Sequence, residues 1–285
     1  MEIIRTVKRL REALDSARES GLSIGLVPTM GALHAGHKSL VDRARAENDI
    51  VVVSVFVNPT QFNNPEDLRT YPRTEAADAA LLESAGVDYA FIPTVDEVYP
   101  EPDTRQFALG AIADVMEGAM RPGHFNGVCQ IVSKLFALTG PTRAYFGEKD
   151  FQQIAVIKKM VALEGFDLEI VPCPIVREAD GLALSSRNVR LTATARAAAP
   201  AIRRILQQSL QSKNDGSTPA EVEKAVVEAI NAVPELEAEY YTIVDALTMQ
   251  PISEWAQAGC DGAVGCATVY AGDVRLIDNI RYPQA

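Results

Sequence analysis

Ile50-Val51-Val52-Val53-Ser54-Val55-Phe56-Val57 is the longest apolar stretch in the chain, dense in β-branched residues and without apolar–polar alternation. A strand with one wet face alternates with period two, so a run lacking that alternation predicts a strand covered on both faces, as inside a parallel sheet. Working outward, a short apolar run at 22–27 stops at Pro28, and 38–46 has helical character after Gly36. Before it, Ile4, Val7, Leu10 and Leu14 stand at helical spacing. After it, the pattern predicts helices over 74–84, 128–138 and 151–163, with strands over 87–92, 143–146 and 168–171 between and beyond them. Strands alternating with helices imply an α/β fold with a doubly wound parallel sheet and a ligand crevice at the carboxyl ends of the strands.

The rhythm changes near residue 180. Alanine-rich helices over 192–212 and 219–232, joined by a polar linker at 212–217, precede candidate strands at 239–245, 262–271 and 274–278. This predicts a smaller α+β C-terminal domain with helices and an antiparallel sheet. The expected division is 1–178 and 179–285, with no internal repeat.

Composition narrows the functions. Hydrophobic residues make up 47% and charged residues 23% of the chain, ordinary usage for a folded protein. A net charge of -11 argues against nucleic acid as a partner, because nonspecific affinity there comes from Lys and Arg displacing counterions. It leaves room for an anionic small ligand in a locally basic cleft. Cys129, Cys173, Cys260 and Cys266 form no C-x-x-C pair and read as reduced thiols. No stretch approaches the roughly 20 apolar residues of a membrane-spanning helix. The acidic N-terminal segment is unlike a signal or transit peptide, so the expected location is cytoplasmic, away from membranes.

The chemistry-bearing motifs fall in loops after strands. In Pro28-Thr29-Met30-Gly31-Ala32-Leu33-His34-Ala35-Gly36-His37, glycines permit close backbone approach and a following helix offers unpaired N–H groups. Two imidazoles complete an anion site in sequence form. Taken alone it could be a solvent-facing turn, and zinc is disfavoured because no acidic or cysteine partner lies nearby. Asn58-Pro59-Thr60-Gln61-Phe62 ends a strand and presents two amides, or is turn chemistry. Gly147-Glu148-Lys149-Asp150 with Gln153 offers an ammonium for phosphate and a carboxylate for a helix cap or a ribose hydroxyl. Leu184-Ser185-Ser186-Arg187-Asn188 offers hydroxyls and a guanidinium for a triphosphate, or is a polar linker. Arg121-Pro122-Gly123-His124-Phe125 is a Pro/Gly turn that either serves structure or adds a cation and an imidazole.

Taken in order, PTMGALHAGH, FVNPTQF, YPRT (residues 71–74), RPGHF, YFGEKDFQQ and DGLALSSRN resemble the pantothenate synthetase (pantoate–β-alanine ligase) family within the H-x-G-H nucleotidylyltransferase superfamily. The resemblance implies a Rossmann-like N-terminal domain, a C-terminal lid and a homodimer. It implies Mg²⁺-dependent adenylation of pantoate by ATP, then attack by β-alanine to give pantothenate and AMP. It implies ATP contacts from Thr29, Met30, His34, Gly36, His37, Gly147, Glu148, Lys149, Asp150, Val176, Leu184, Ser185, Ser186 and Arg187. Of these, His34, His37, Lys149, Ser185, Ser186 and Arg187 carry the catalytic load, with His37 a proton donor or charge stabiliser. Gln61, Gln153, Asn58 and Met30 are implied for pantoate, and Gln61 and Tyr71 for β-alanine; the metal ligands stay open. Asn126 and Cys129-Gln130 depart from the expected pattern. Rival readings are a nucleotidylyltransferase acting on a phosphorylated acceptor, a class I tRNA synthetase fragment and a non-enzymatic nucleotide sensor.

Overall fold

A computed structural model describes residues 1–283. Its strands are β1 (Glu2–Ile4), β2 (Ile24–Thr29), β3 (Ile50–Val55), β4 (Tyr89–Phe91), β5 (Arg143–Gly147), β6 (Glu169–Cys173), β7 (Leu236–Asp245), β8 (Ala263–Ala271) and β9 (Val274–Tyr282). The first six form a parallel sheet in the order β1-β4-β3-β2-β5-β6. The last three form an antiparallel sheet in the order β7-β8-β9.

The apolar run lies inside the sheet and is covered on both faces, as its lack of alternation predicts. Val52 packs with Leu10, Val128 and Ile157 of helices Val7–Glu19, His124–Thr139 and Phe151–Glu164 on one face. Val51 and Val53 pack with Leu40, Val41 and Leu82 of helices Ala35–Glu47 and Glu75–Ser84 on the other. A separate core joins the antiparallel sheet to helices Ala193–Ala198, Pro200–Asn214 and Pro219–Asn231.

Several boundaries differ from expectation for identifiable reasons. Ile4 belongs to strand β1, not to the helix with Val7, Leu10 and Leu14, and is 1% exposed beside β4. Strand β2 continues through Pro28 to Thr29. The Ile24 N–H points toward β5, to the Thr142 hydroxyl, so alternation sends position 28 the same way; the β2–β5 ladder has ended at Leu26, and no backbone donor is missed there. The helix expected over 192–212 is two helices divided at Ala199, because Pro200 cannot continue a helix but suits its first position. The last strand runs on to Tyr282, whose hydroxyl meets Tyr241 and Ser209 inside the core.

Candidate active site

The loop after β2 is held by its own chemistry. Helix Ala35–Glu47 is capped reciprocally: the Gly36 N–H donates to His34 Nδ1 at 3.1 Å, and the His34 N–H donates to His37 Nδ1 at 3.3 Å. Each neutral ring has therefore committed Nδ1 as an acceptor and carries its proton on Nε2. Burial pushes His34 down to about 4, aided by the Lys149 ammonium, and His37 down to about 3, aided by His34 and Lys149. At neutral pH the pair offers two N–H donors and no positive charge.

Backbone strain concentrates just upstream, where Ala32 takes φ +50 after Gly31 at +82. Asp78 holds this turn from behind, accepting the Ala32 and Leu33 N–H groups at 3.0 and 2.8 Å and the Thr74 hydroxyl at 3.0 Å. Ser186 holds it from across the cleft, donating its hydroxyl to the Ala32 carbonyl at 3.0 Å.

After β3, Asn58 is 1% exposed and spends its amide on protein: it donates to Gln61 Oε1 at 3.2 Å and Gly127 O at 3.1 Å, and accepts from Tyr99 at 2.9 Å. It fixes Gln61, whose Nε2 lies 3.0 Å from Met30 Sδ. Gly127 lets helix His124–Thr139 approach this loop; a Cβ there would sit 2.3 Å from the Thr60 carbonyl oxygen. The His124 Nδ1 and the Gln61 carbonyl are 2.8 Å apart.

All of the residues that the resemblance implies for ATP, pantoate and β-alanine, except Glu148, border one cavity of about 210 Å³ at the carboxyl ends of the parallel strands. Thr29, Met30, His34, Gly36 and His37 enter from β2, Asn58, Gln61 and Tyr71 from β3, and Gly147, Lys149, Asp150 and Gln153 from β5. Val176, Leu184, Ser185, Ser186 and Arg187 follow β6. Glu148 turns away instead: its carboxylate pairs with Arg281 at 2.9 Å and its carbonyl accepts from Asn279 at 2.7 Å, docking the C-terminal sheet. Arg187 borders both this cavity and an adjoining one of about 320 Å³, and is paired with Asp67 at 2.7 Å.

Sequence reasoning named Pro28 and Phe56 within motifs without giving them a place in the apolar floor, and missed Val128, Ile131, Val132 and Leu135 there and the supports Asp78 and Glu117. Helical periodicity on 128–138 gave the floor's existence but not what it faces. Glu117 binds Arg275 at 2.6 Å, Tyr240 at 2.8 Å and Thr268 at 3.1 Å, tying the antiparallel sheet to the rest. Burial alone would raise its carboxyl, and the Arg275 guanidinium brings it down to about 2. Arg121 and His124 border the adjoining cavity. The departures are structural: Asn126 and Gln130 bind the backbone of Asp103, Arg105 and Phe107, and Cys129 is buried in the core.

A family model described as pantoate-beta-alanine ligase matches residues 2–281. The chain belongs to the pantoate–β-alanine ligase family. A pantothenate synthetase of Porphyromonas gingivalis is 60% identical over 282 residues, 99% of each chain. The crystal structure of pantothenate synthetase from Thermus thermophilus superposes with a TM-score of 0.92 at 48% identity, covering 99% of this chain and 100% of that one. The pantoate–β-alanine ligase of Francisella tularensis, complexed with βγ ATP and β-alanine, superposes at 0.83 with 37% identity, covering 100% of this chain and 99% of that one. As a pantoate–β-alanine ligase family member the chain is an ATP-using enzyme, and the family match does not favour a nucleotidylyltransferase with a phosphorylated acceptor.

Proposed function

We propose that the chain condenses pantoate with β-alanine to give pantothenate, by way of a pantoyl adenylate, consuming ATP and releasing pyrophosphate and then AMP. The observation that supports this best is the meeting of loops from β2, β3, β5 and β6 on one cavity. In the first step a pantoate carboxylate oxygen bonds to the α-phosphorus, and the bond to the bridging oxygen breaks with its electron pair leaving on pyrophosphate. Both reactants are anions, so charge must be offset: Lys149 and Arg187 supply it, while His34 and His37 donate N–H groups to phosphate oxygens. Ser185 adds a hydroxyl donor, and Ser186 adds a second when its hydroxyl leaves the Ala32 carbonyl. Thr29, Met30, Gly36, Gly147, Val176 and Leu184 shape the nucleotide side, with Asp150 toward the ribose or metal.

Gln61 and Gln153 hold pantoate, with Met30 beside them and Asn58 fixing Gln61. In the second step the β-alanine amine, near Gln61 and Tyr71, bonds to the acyl carbon while the carbon–oxygen bond to AMP breaks. The amine proton passes to solvent. No protein nucleophile is needed.

Among the described residues no three His, Cys, Asp or Glu side chains converge into a metal cage. That fits Mg²⁺ held by substrate phosphates and one carboxylate, with Asp150 on the cavity wall as that group. Mg²⁺ supplies charge neutralisation at the phosphates when bound. Cores on either side of residue 178, bridged by a smaller cluster of Met116 with Val244, Met249 and Val264, support a division there, with the C-terminal part acting as a lid. The family resemblance supports a homodimer in the cytoplasm, and no described helix is long and apolar enough to cross a membrane.

Incubation with ATP, Mg²⁺ and pantoate, with and without β-alanine, followed by mass detection, tests the reading. Pantoyl adenylate without the amine and pantothenate with it are expected. AMP transfer to a phosphorylated acceptor, with none to pantoate, would overturn it.

A further inference from the structure

Ser54 is the one polar side chain in the run 50–57, and its hydroxyl oxygen is buried with no hydrogen-bond partner among the described residues. The sequence of three strands makes it so. In the sheet Ser54 stands beside Pro28 on β2 and Phe91 on β4, neither of which has a polar side chain to offer. Its backbone carbonyl is already taken by the Thr29 hydroxyl at 2.6 Å. Strand alternation aims Ser54 the same way as Val52 and Phe56, toward helix His124–Thr139. There it borders the cavity on the apolar floor formed by Pro28, Phe56, Val128, Ile131 and Val132.

A buried hydroxyl without a partner forfeits hydration and gains nothing in return, so such groups are rare in native proteins. Ser54 differs from a packing fault because the residue that carries the unpaired atom borders the substrate cavity, with the oxygen itself covered in the free protein.

Position along the sheet edge indicates the ligand. Lys149, Asp150 and residues 184–187 follow β5 and β6, whereas Ser54 lies on β3, just before Asn58 and Gln61. Nucleotide phosphates need the former set. A lone hydroxyl on an apolar floor suits a small branched acid that carries a hydroxyl or carboxylate oxygen.

We infer that Ser54 is a substrate-binding residue, its hydroxyl held unpaired in the free enzyme and hydrogen-bonded to an oxygen of the branched hydroxy acid when that substrate is bound. This rests on the proposed condensation reaction, with pantoate as the acid.

Ser54→Ala tests it with two readouts that move in opposite directions. Removal of a hydroxyl that lacks a protein partner should leave the melting temperature of the ligand-free enzyme unchanged or raised. The same change should raise the KM for pantoate by about tenfold, the scale of one hydrogen bond lost, while ATP binding measured by calorimetry without pantoate stays as it was. Ser54→Cys, close in size with a weak donor, should fall between. An unchanged pantoate KM in both variants overturns the inference, as does a lowered melting temperature or an equal loss of ATP affinity, since either would mean a repacked strand. If the unmutated enzyme forms no AMP in a pantoate-dependent way, the proposed reaction itself fails instead.

Discussion

Replacing His37 with alanine should slow adenylation by about 10²- to 10³-fold, the scale of one positioned donor to a developing oxyanion, whereas glutamine should retain activity within about tenfold of native. The difference follows from the charge state of the ring. Burial, His34 and Lys149 bring His37 down to about 3, so at pH 7 only roughly one ligand-free molecule in 10⁴ carries the imidazolium. Its Nδ1 accepts the His34 N–H, which leaves Nε2–H as the working group. A glutamine amide nitrogen can occupy nearly the same place and donate the same bond, and alanine cannot. Pantoate-dependent exchange of labelled pyrophosphate into ATP, with Mg²⁺ in excess, measures this step. The ratio kcat/KM for ATP reports titrations of the free enzyme, so it should show no histidine-linked fall between pH 6.5 and 8.5. A roughly tenfold fall per pH unit above 6.5 in the native enzyme, absent from His37→Gln, would refute the reasoning and restore an acid role.

Gly127→Ala places a carbon against the Thr60 carbonyl and Gln61 backbone, which cannot yield as a side-chain end could. It should raise the KM for pantoate more than that for ATP in steady-state assays. Asp67 is paired with Arg187, the guanidinium proposed to meet phosphate, so Asp67→Asn should lower the KM for ATP by about threefold, the scale of a partly exposed ion pair. Glu117→Ala leaves Arg275 to Glu239 alone and Tyr240 without its acceptor, and should cost about 2 kcal/mol of stability in denaturant titration, the scale of a lost charge-assisted hydrogen bond. For acid stability, His34, His37 and His124 titrate in the native state at about 4, 3 and 4 against an ordinary 6.5. The unfolded chain then binds more protons, so the melting temperature should begin to fall as pH drops below 6.5. A second loss should follow below 4.5 as Glu117, held near 2, is forced to protonate.

The sequence alone determined the layered architecture and the ligand loops. Period-two alternation is absent from 50–57 because both faces of that strand are covered, and this is a local property that composition records. Motifs in post-strand loops likewise had to meet, because a parallel sheet brings the carboxyl ends of its strands to one edge. Only the tertiary structure decided which way individual side chains face once there. Glu148 sits inside a motif whose other members border the cavity, yet the docking of β9 turns it outward to Arg281. The histidines, chargeable in any unfolded chain, are neutral because burial and Lys149 make them so. Asp78, Gly127 and Ser54 belong to no legible binding pattern. Their roles arise from contacts between segments distant in the chain, and pair distances of that kind are fixed by packing and not by neighbouring residues.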